Sequence, residues 1–141
     1  MKIAIINGPN LNLLGTREPG IYGSQTFETF FTGLKERYPQ VEFVYFQSNV
    51  EGELINELQR VGFTYDGAIM NPGGYTHTSV AIGDAIAALA SPVIEVHISN
   101  IFSREEFRKI SHVSAKSVGV ISGLGLKGYE LAVAYFSGMQ A

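Results

Sequence analysis

Short apolar runs alternate along the chain with longer segments in which apolar residues recur every three or four positions. Runs rich in β-branched residues and bounded by Gly, Pro or Asn predict buried strands. Such runs occupy residues 2–6, 41–46, 67–70, 93–98 and 118–121. Segments with helical spacing follow them, at about residues 27–38, 54–61, 78–90, 105–110 and 126–136.

Several residues at the ends of these segments can start or stop a helix. Ser24 or Thr26 is placed to cap the first helix, Pro39 to end it, and Gly62 to end the second. Five strands that alternate with helices predict an α/β protein, a three-layer sandwich with a parallel sheet covered by helices on both faces. Because crossovers are right-handed, a flavodoxin-like sheet with strand order 2-1-3-4-5 is favoured.

Composition narrows the class of protein. A chain of 141 residues with 45% hydrophobic and 16% charged residues fits a single globular domain, residues 1–141. The net charge of -3 offers no basic surface, so we expect no nucleic-acid or membrane partner. There is no Cys for a disulfide or thiolate metal site. No apolar stretch approaches the roughly 18 residues of a membrane span, and the first strand begins without a signal peptide, so we expect a cytoplasmic protein.

Polar residues gather directly after three of the predicted strands. In open α/β sheets, ligands bind beyond the carboxyl ends of the strands, at the switch point between the first and third. Residues suited to bind a ligand follow strands one, three and four: Asn10, Asn12, Arg17 and Tyr22; Asn71, Gly73, Gly74, Tyr75, Thr76 and His77; Glu95, His97, Ser99, Asn100, Arg104 and Arg108. The connection at residues 7–23 is also longer than the usual 2–6 residues, which is typical of a binding loop. We therefore predict a functional site at this edge.

The sequence lacks the motifs of several common kinds of site. The chain has no P-loop, and the Gly-x-Gly-x-x-Gly at residues 123–128 follows the last strand, where tight strand-to-helix packing explains it better than phosphate binding. His77, His97 and His112 lack the spacing of a zinc helix, and no Gly-x-Ser-x-Gly elbow occurs. Acid–base chemistry remains.

Glu95 and His97 lie two residues apart on one predicted strand, so both side chains point to the same face. A carboxylate beside an imidazole can fix the tautomer of the ring and make it a proton donor, although the two could also form a purely structural pair. Tyr22 could act as a base only if a cation such as Arg17 or Arg108 stabilises its phenolate; otherwise it anchors the loop.

Asn12 and Asn71 each have two possible roles. Their amides could donate to a developing oxyanion or to substrate hydroxyls. Either could instead satisfy the backbone of its loop, the commoner role of Asn in turns.

Four segments together resemble one enzyme family. Residues 7–23, 71–79, 95–100 and 104–108 closely resemble type II 3-dehydroquinate dehydratases, in that family's order and spacing. The resemblance implies removal of water from 3-dehydroquinate to give 3-dehydroshikimate through an enolate, without a metal, cofactor or Schiff base. It also implies a homododecamer built from four trimers.

The resemblance also implies roles for individual residues. Tyr22 would be the base, Arg17 would lower its pKa, and Asn12 would hold the enolate through a water. His97, oriented by Glu95, would be the acid. The remaining residues would bind substrate: Asn71, His77, Ile98, Ser99 and Arg108, with Asp84 supplied to the site of a neighbouring subunit.

One position departs from the family pattern. Gly83 stands where a larger and often basic residue is common, and it could loosen its helix or alter the contact that presents Asp84. Two other functions stay open from the residues themselves. One is a flavodoxin-like module that binds a nucleotide or flavin without catalysis, and the other is a scaffold that only oligomerises.

Overall fold

The computed structural model of the protein describes residues 1–16, 19–22 and 24–139. Within these ranges, five parallel strands form one sheet in the predicted order 2-1-3-4-5, which confirms the flavodoxin-like topology. The strands are β1 (Lys2–Asn7), β2 (Glu42–Gln47), β3 (Gly67–Asn71), β4 (Val93–His97) and β5 (Gly119–Ser122). The α-helices are α1 (Pro19–Tyr22), α2 (Phe27–Arg37), α3 (Glu51–Val61), α4 (Val80–Ala87) and α5 (Lys127–Gly138).

Two hydrophobic cores lie on opposite faces of the sheet. Because side chains alternate along a strand, Ile3 and Ile5 of β1 join one core, while Ala4 and Ile6 join the other. Helices α2 and α5 cover the first face, and α3 and α4 cover the second. This double burial explains why β1 and β3 read as continuous apolar runs.

The helix boundaries follow local capping. Thr26 accepts a hydrogen bond from the Thr29 amide and caps α2, and Gly62 follows the last residue of α3, as predicted. Helix α4 is shorter than predicted at both ends. It begins at Val80, where the Ser79 side chain caps the Ile82 amide, and it ends at Ala87. The helix predicted near residues 105–110 is a 3₁₀-helix at Glu106–Lys109. Within the described ranges, no helix has the length and apolar character to cross a bilayer.

Gly83 has a packing role that its sequence context did not predict. It is buried on α4, and a Cβ atom at this position would overlap the carbonyl oxygen of His112. The same residue His112 donates its backbone N–H to the Thr76 carbonyl at 2.9 Å. The glycine therefore lets α4 lie directly against the backbone that precedes β5.

Candidate active site

A cleft opens at the carboxyl edge of β1, β3 and β4, where the sequence predicted a site. It encloses about 690 Å³, including its open mouth. The described residues that line it are Asn10, Leu11, Leu13, Leu14, Asn71, Gly73, Gly74, His77, His97, Ile98, Ser99, Ile101, Arg104 and Arg108. Amide, imidazole, hydroxyl and guanidinium groups therefore share one small space.

The predicted pair of Glu95 and His97 forms at the end of β4. His97 Nε2 lies 2.5 Å from Glu95 Oε2, and the two residues are 5% and 0% exposed. Burial by itself would raise the pKa of Glu95, but hydrogen bonds from His97, Ser114 and Ser111 outweigh it and hold that pKa below its usual value. An ionised carboxylate only accepts hydrogen bonds, so Nε2 carries the hydrogen, and Nδ1 is left to exchange a proton with a molecule in the cleft.

His77 is suited to accept a hydrogen bond. Its Nδ1 lies 2.7 Å from the carbonyl oxygen of Ile110, which can only accept, so Nδ1 carries the hydrogen. Burial lowers the pKa of His77, and the nearby charges of His97 and Arg108 lower it further, although the bond to Ile110 acts in the opposite direction. The ring is therefore neutral near pH 7, and Nε2 offers a lone pair to a donor such as a ligand hydroxyl.

The Asn71 side chain is held from two sides. Its Oδ1 accepts the backbone N–H of Gly73 at 3.1 Å, and its Nδ2 donates to the hydroxyl of Tyr129 at 3.0 Å. The Tyr129 hydroxyl in turn donates to Asn7 Oδ1 at 2.8 Å. These bonds assign the amide orientation and leave one Nδ2 hydrogen for a ligand. Asn71 therefore satisfies the backbone of its loop, one of its two predicted roles, and it also lines the cleft, while donation to a ligand stays a prediction.

Two guanidinium groups give the cleft a positive side. Arg104 Nη1 donates to Ser99 Oγ at 3.1 Å, and Arg108 Nε donates to Glu105 Oε2 at 2.7 Å. None of the described residues that line the cleft is acidic. The cleft therefore favours an anionic ligand that also carries hydroxyl groups.

The other predicted site residues lie elsewhere or outside the described residues. Asn12 is exposed, does not line the cleft, and accepts a hydrogen bond from Gln47 Nε2 at 3.4 Å. Asp84 is exposed on α4 and is likewise absent from the cleft lining of its own chain. Tyr22 is the last residue of α1, but its side chain is outside the described part, as is all of Arg17.

Sequence reasoning gave no role to several residues that the structure brings to the site. Asn10 and Arg104 follow β1 and β4, so the rule about strand ends places them at this edge without assigning a function. Ser111 and Ser114, which bond Glu95, precede β5 instead, and no sequence pattern singles them out. Apolar side chains complete the lining: Leu11, Leu13, Leu14 and Ile101.

The chain is similar to known proteins in sequence and in overall fold. The profile of the family described as Dehydroquinase class II matches residues 1–137. The 3-dehydroquinate dehydratase of Fusobacterium nucleatum is 53% identical over 141 residues, which cover 96% of this chain and 95% of that protein. The type II dehydroquinase structure from Butyrivibrio crossotus superposes with a TM-score of 0.93 at 46% identity and covers 97% of both chains. That from Propionibacterium acnes gives 0.88 at 42% identity and covers 95% of this chain and 94% of its own. The chain therefore belongs to the class II dehydroquinase family.

Proposed function

We propose that this chain is a hydro-lyase that converts 3-dehydroquinate to 3-dehydroshikimate in the shikimate pathway. Its family membership and its similarity to proteins named 3-dehydroquinate dehydratase support this reaction. The observation that carries the proposal is the buried Glu95–His97 pair, which lies beside groups suited to bind a hydroxylated anion. A hydroxylated cyclic carboxylic acid is such an anion.

The first chemical step removes a proton from the carbon next to the substrate ketone. Tyr22 is the proposed base, and Arg17 in the same connection stabilises its phenolate, since a nearby cation favours the charged form. The electron pair left on carbon delocalises onto the ketone oxygen and forms an enolate. Asn12 is proposed to hold this oxygen through a water.

The second step expels the hydroxyl group. The enolate re-forms the ketone, a carbon–carbon double bond is made, and the carbon–oxygen bond breaks. His97 protonates the departing oxygen through Nδ1, so that it leaves as water. The proton that Tyr22 takes from carbon is balanced by the proton that His97 gives to this oxygen. The anionic Glu95 stabilises the imidazolium before it gives up this proton.

The remaining polar groups of the cleft would hold the substrate. The lone pair on His77 Nε2 and the free hydrogen of Asn71 Nδ2 suit substrate hydroxyls. Arg108 suits the carboxylate, because a guanidinium group can donate two parallel hydrogen bonds to it. Ile98 and Ser99 border the same space and complete the proposed binding set.

The direct test is to add purified protein to 3-dehydroquinate and follow the ultraviolet absorbance of the conjugated enone product. Parallel samples contain cyanoborohydride, which reduces Schiff bases but leaves ketones intact near neutral pH, and EDTA, which removes divalent metals. We expect absorbance to rise at the same rate in all three samples. A folded protein that produces no absorbance change would contradict the proposed reaction and favour a binding module.

We also propose that the active form is a dodecamer of four trimers in which Asp84 reaches the site of a neighbouring copy. The exposure of Asp84 on α4, away from the cleft of its own chain, is consistent with this role. Light scattering on a size-exclusion column measures the assembly. If Asp84 acts across an interface, Asp84→Asn raises KM while the mass stays unchanged, and an unchanged KM would contradict the role.

A further inference from the structure

The carboxylate of Glu95 receives hydrogen bonds from three side chains. Besides His97, the Ser114 hydroxyl donates to Oε1 at 2.7 Å, and Ser111 Oγ lies 3.1 Å from Oε1 and 3.4 Å from Oε2. Glu95 itself is 0% exposed. A buried carboxylate without such donors would be driven toward its protonated form, because water no longer solvates its charge.

The two serines are held in place by backbone contacts of their own segment. Ser111 Oγ accepts the backbone N–H groups of Val113 at 3.1 Å and Ser114 at 3.0 Å. Val113 is fully buried in the core beneath α3 and α4, and Gly83 allows the close approach of the neighbouring His112 backbone. The hydroxyl groups are therefore directed at Glu95 by the fold.

The protonation state of Glu95 decides which nitrogen of His97 is available. An anionic Glu95 can only accept a hydrogen bond, so the hydrogen of the neutral ring lies on Nε2. Nδ1 is then the nitrogen that can exchange a proton with the substrate. A protonated Glu95 would donate to Nε2 and place the hydrogen of the neutral ring on Nδ1. Loss of the carboxylate charge would also remove the group that stabilises the imidazolium.

We propose that Ser114, assisted by Ser111, is a positioning residue that keeps Glu95 anionic and thereby sets the tautomer of His97. This inference rests on the proposed function, in which His97 is the acid. Ser114 acts through Glu95 and does not line the cleft. Its role is therefore visible in the pH dependence of the reaction rather than in substrate binding.

Ser114 allows a cleaner test than Ser111. Among the described residues, the Ser114 hydroxyl makes its one hydrogen bond to Glu95, whereas Ser111 also holds two backbone N–H groups. The variants are Ser114→Ala, Ser114→Thr, which retains a hydroxyl, and Ser117→Ala. Ser117 is a matched control because it lies on the same segment and donates to the Val113 carbonyl instead.

The first measurement is the pH profile of kcat/KM. Removal of one hydrogen bond to a charged group is worth about one pH unit, so Ser114→Ala moves the acidic limb to higher pH by about that much. At pH values below the acidic limb, kcat/KM of Ser114→Ala is then about tenfold lower than that of wild type. On the plateau, its KM stays near the wild-type value. Ser114→Thr restores the profile and Ser117→Ala matches wild type. A Ser114→Ala profile that superposes on wild type, or that drops equally at all pH values, would overturn the inference.

A second measurement does not depend on turnover. Nitrogen NMR of labelled histidine reads the tautomer of His97, which is assigned among the three histidines by comparison with His97→Ala. Wild type and Ser114→Thr show hydrogen on Nε2 at neutral pH. As the pH is lowered, Ser114→Ala departs from this signal at a pH about one unit higher than wild type does. Coincident pH curves would contradict the role of Ser114. If wild type fails to dehydrate 3-dehydroquinate, only the proposed function is contradicted. The NMR signal of His97 still tests the role of Ser114, because it does not require turnover.

Discussion

The hydroxyl of Tyr129 joins Asn71 to Asn7 across the interior of the protein, with bonds of 3.0 and 2.8 Å. Tyr129 lies on α5 and is completely buried, and burial keeps its pKa well above the usual value, so it stays a neutral phenol. It therefore donates to one amide and accepts from the other. The orientation of the Asn71 amide in the cleft is thus supported by a residue on α5.

Removal of this hydroxyl should cost both stability and substrate binding. In Tyr129→Phe, Asn71 Nδ2 and Asn7 Oδ1 each lose one buried hydrogen bond, and we expect the free energy of unfolding to fall by about 1–3 kcal/mol. KM should rise more than kcat falls, because the Asn71 amide is then held only through its bond to the Gly73 N–H. Urea unfolding and steady-state kinetics measure both effects. Tyr135→Phe is the matched control, since Tyr135 lies on the same helix but is 52% exposed; equal losses in both variants would contradict the prediction.

Stability should depend on Glu95 at acidic pH. Because its pKa is lower in the folded protein than in the unfolded chain, the unfolded chain binds more protons between the two values. The stabilisation is complete above the ordinary glutamate value of about pH 4.3 and is lost as the pH falls toward the folded value. We therefore expect the free energy of unfolding of wild type to decline more steeply in this range than that of Glu95→Gln. The free energy of unfolding is measured by chemical denaturation at each pH. If it declines in parallel in wild type and Glu95→Gln, Glu95 does not contribute to the pH dependence of stability.

Two glycines in helices should respond oppositely to alanine. Gly83→Ala places a Cβ against the His112 carbonyl oxygen, and we expect a loss of about 1–3 kcal/mol from this overpacking. Gly52 in α3 has no atom within 4 Å of a built Cβ, so Gly52→Ala should be neutral or stabilise by up to about 1 kcal/mol. Thermal or urea unfolding compares the two. Gains in both variants would mean that the contact at Gly83 relaxes without cost.

His97→Ala should mainly slow the chemical step. Loss of a general acid typically lowers kcat by about 10²–10⁴-fold, whereas the binding groups of the cleft remain. Glu95 keeps its hydrogen bonds from Ser111 and Ser114, so the variant is expected to fold, which circular dichroism checks. His112→Ala removes a histidine that does not line the cleft and should keep its activity. A change confined to KM would contradict the assigned acid.

Tyr22→Phe should abolish turnover and preserve the fold. The substitution removes only the hydroxyl oxygen that the mechanism uses as its base, and we expect kcat to fall by about 100-fold or more. Tyr135→Phe again serves as the control with an exposed tyrosine. A rate close to wild type in Tyr22→Phe would require a different base.

The sequence by itself determined the sheet order and the edge at which the site lies. Strand and helix periods are local, and right-handed crossovers leave few ways to arrange five strand–helix units. These rules therefore place the residues after β1, β3 and β4 at one edge of the sheet. The two-residue spacing likewise put Glu95 and His97 on one face, because side chains alternate along a strand.

Only the tertiary structure decided which distant groups control those residues. Tyr129 reaches Asn71 from 58 positions along the chain, and Ser114 reaches Glu95 from a segment that no strand-end rule marks. The contact between Gly83 and the His112 backbone depends on how closely α4 packs. Hydrogen-bond direction and close packing depend on the three-dimensional positions of both partners, and local sequence patterns carry no record of them.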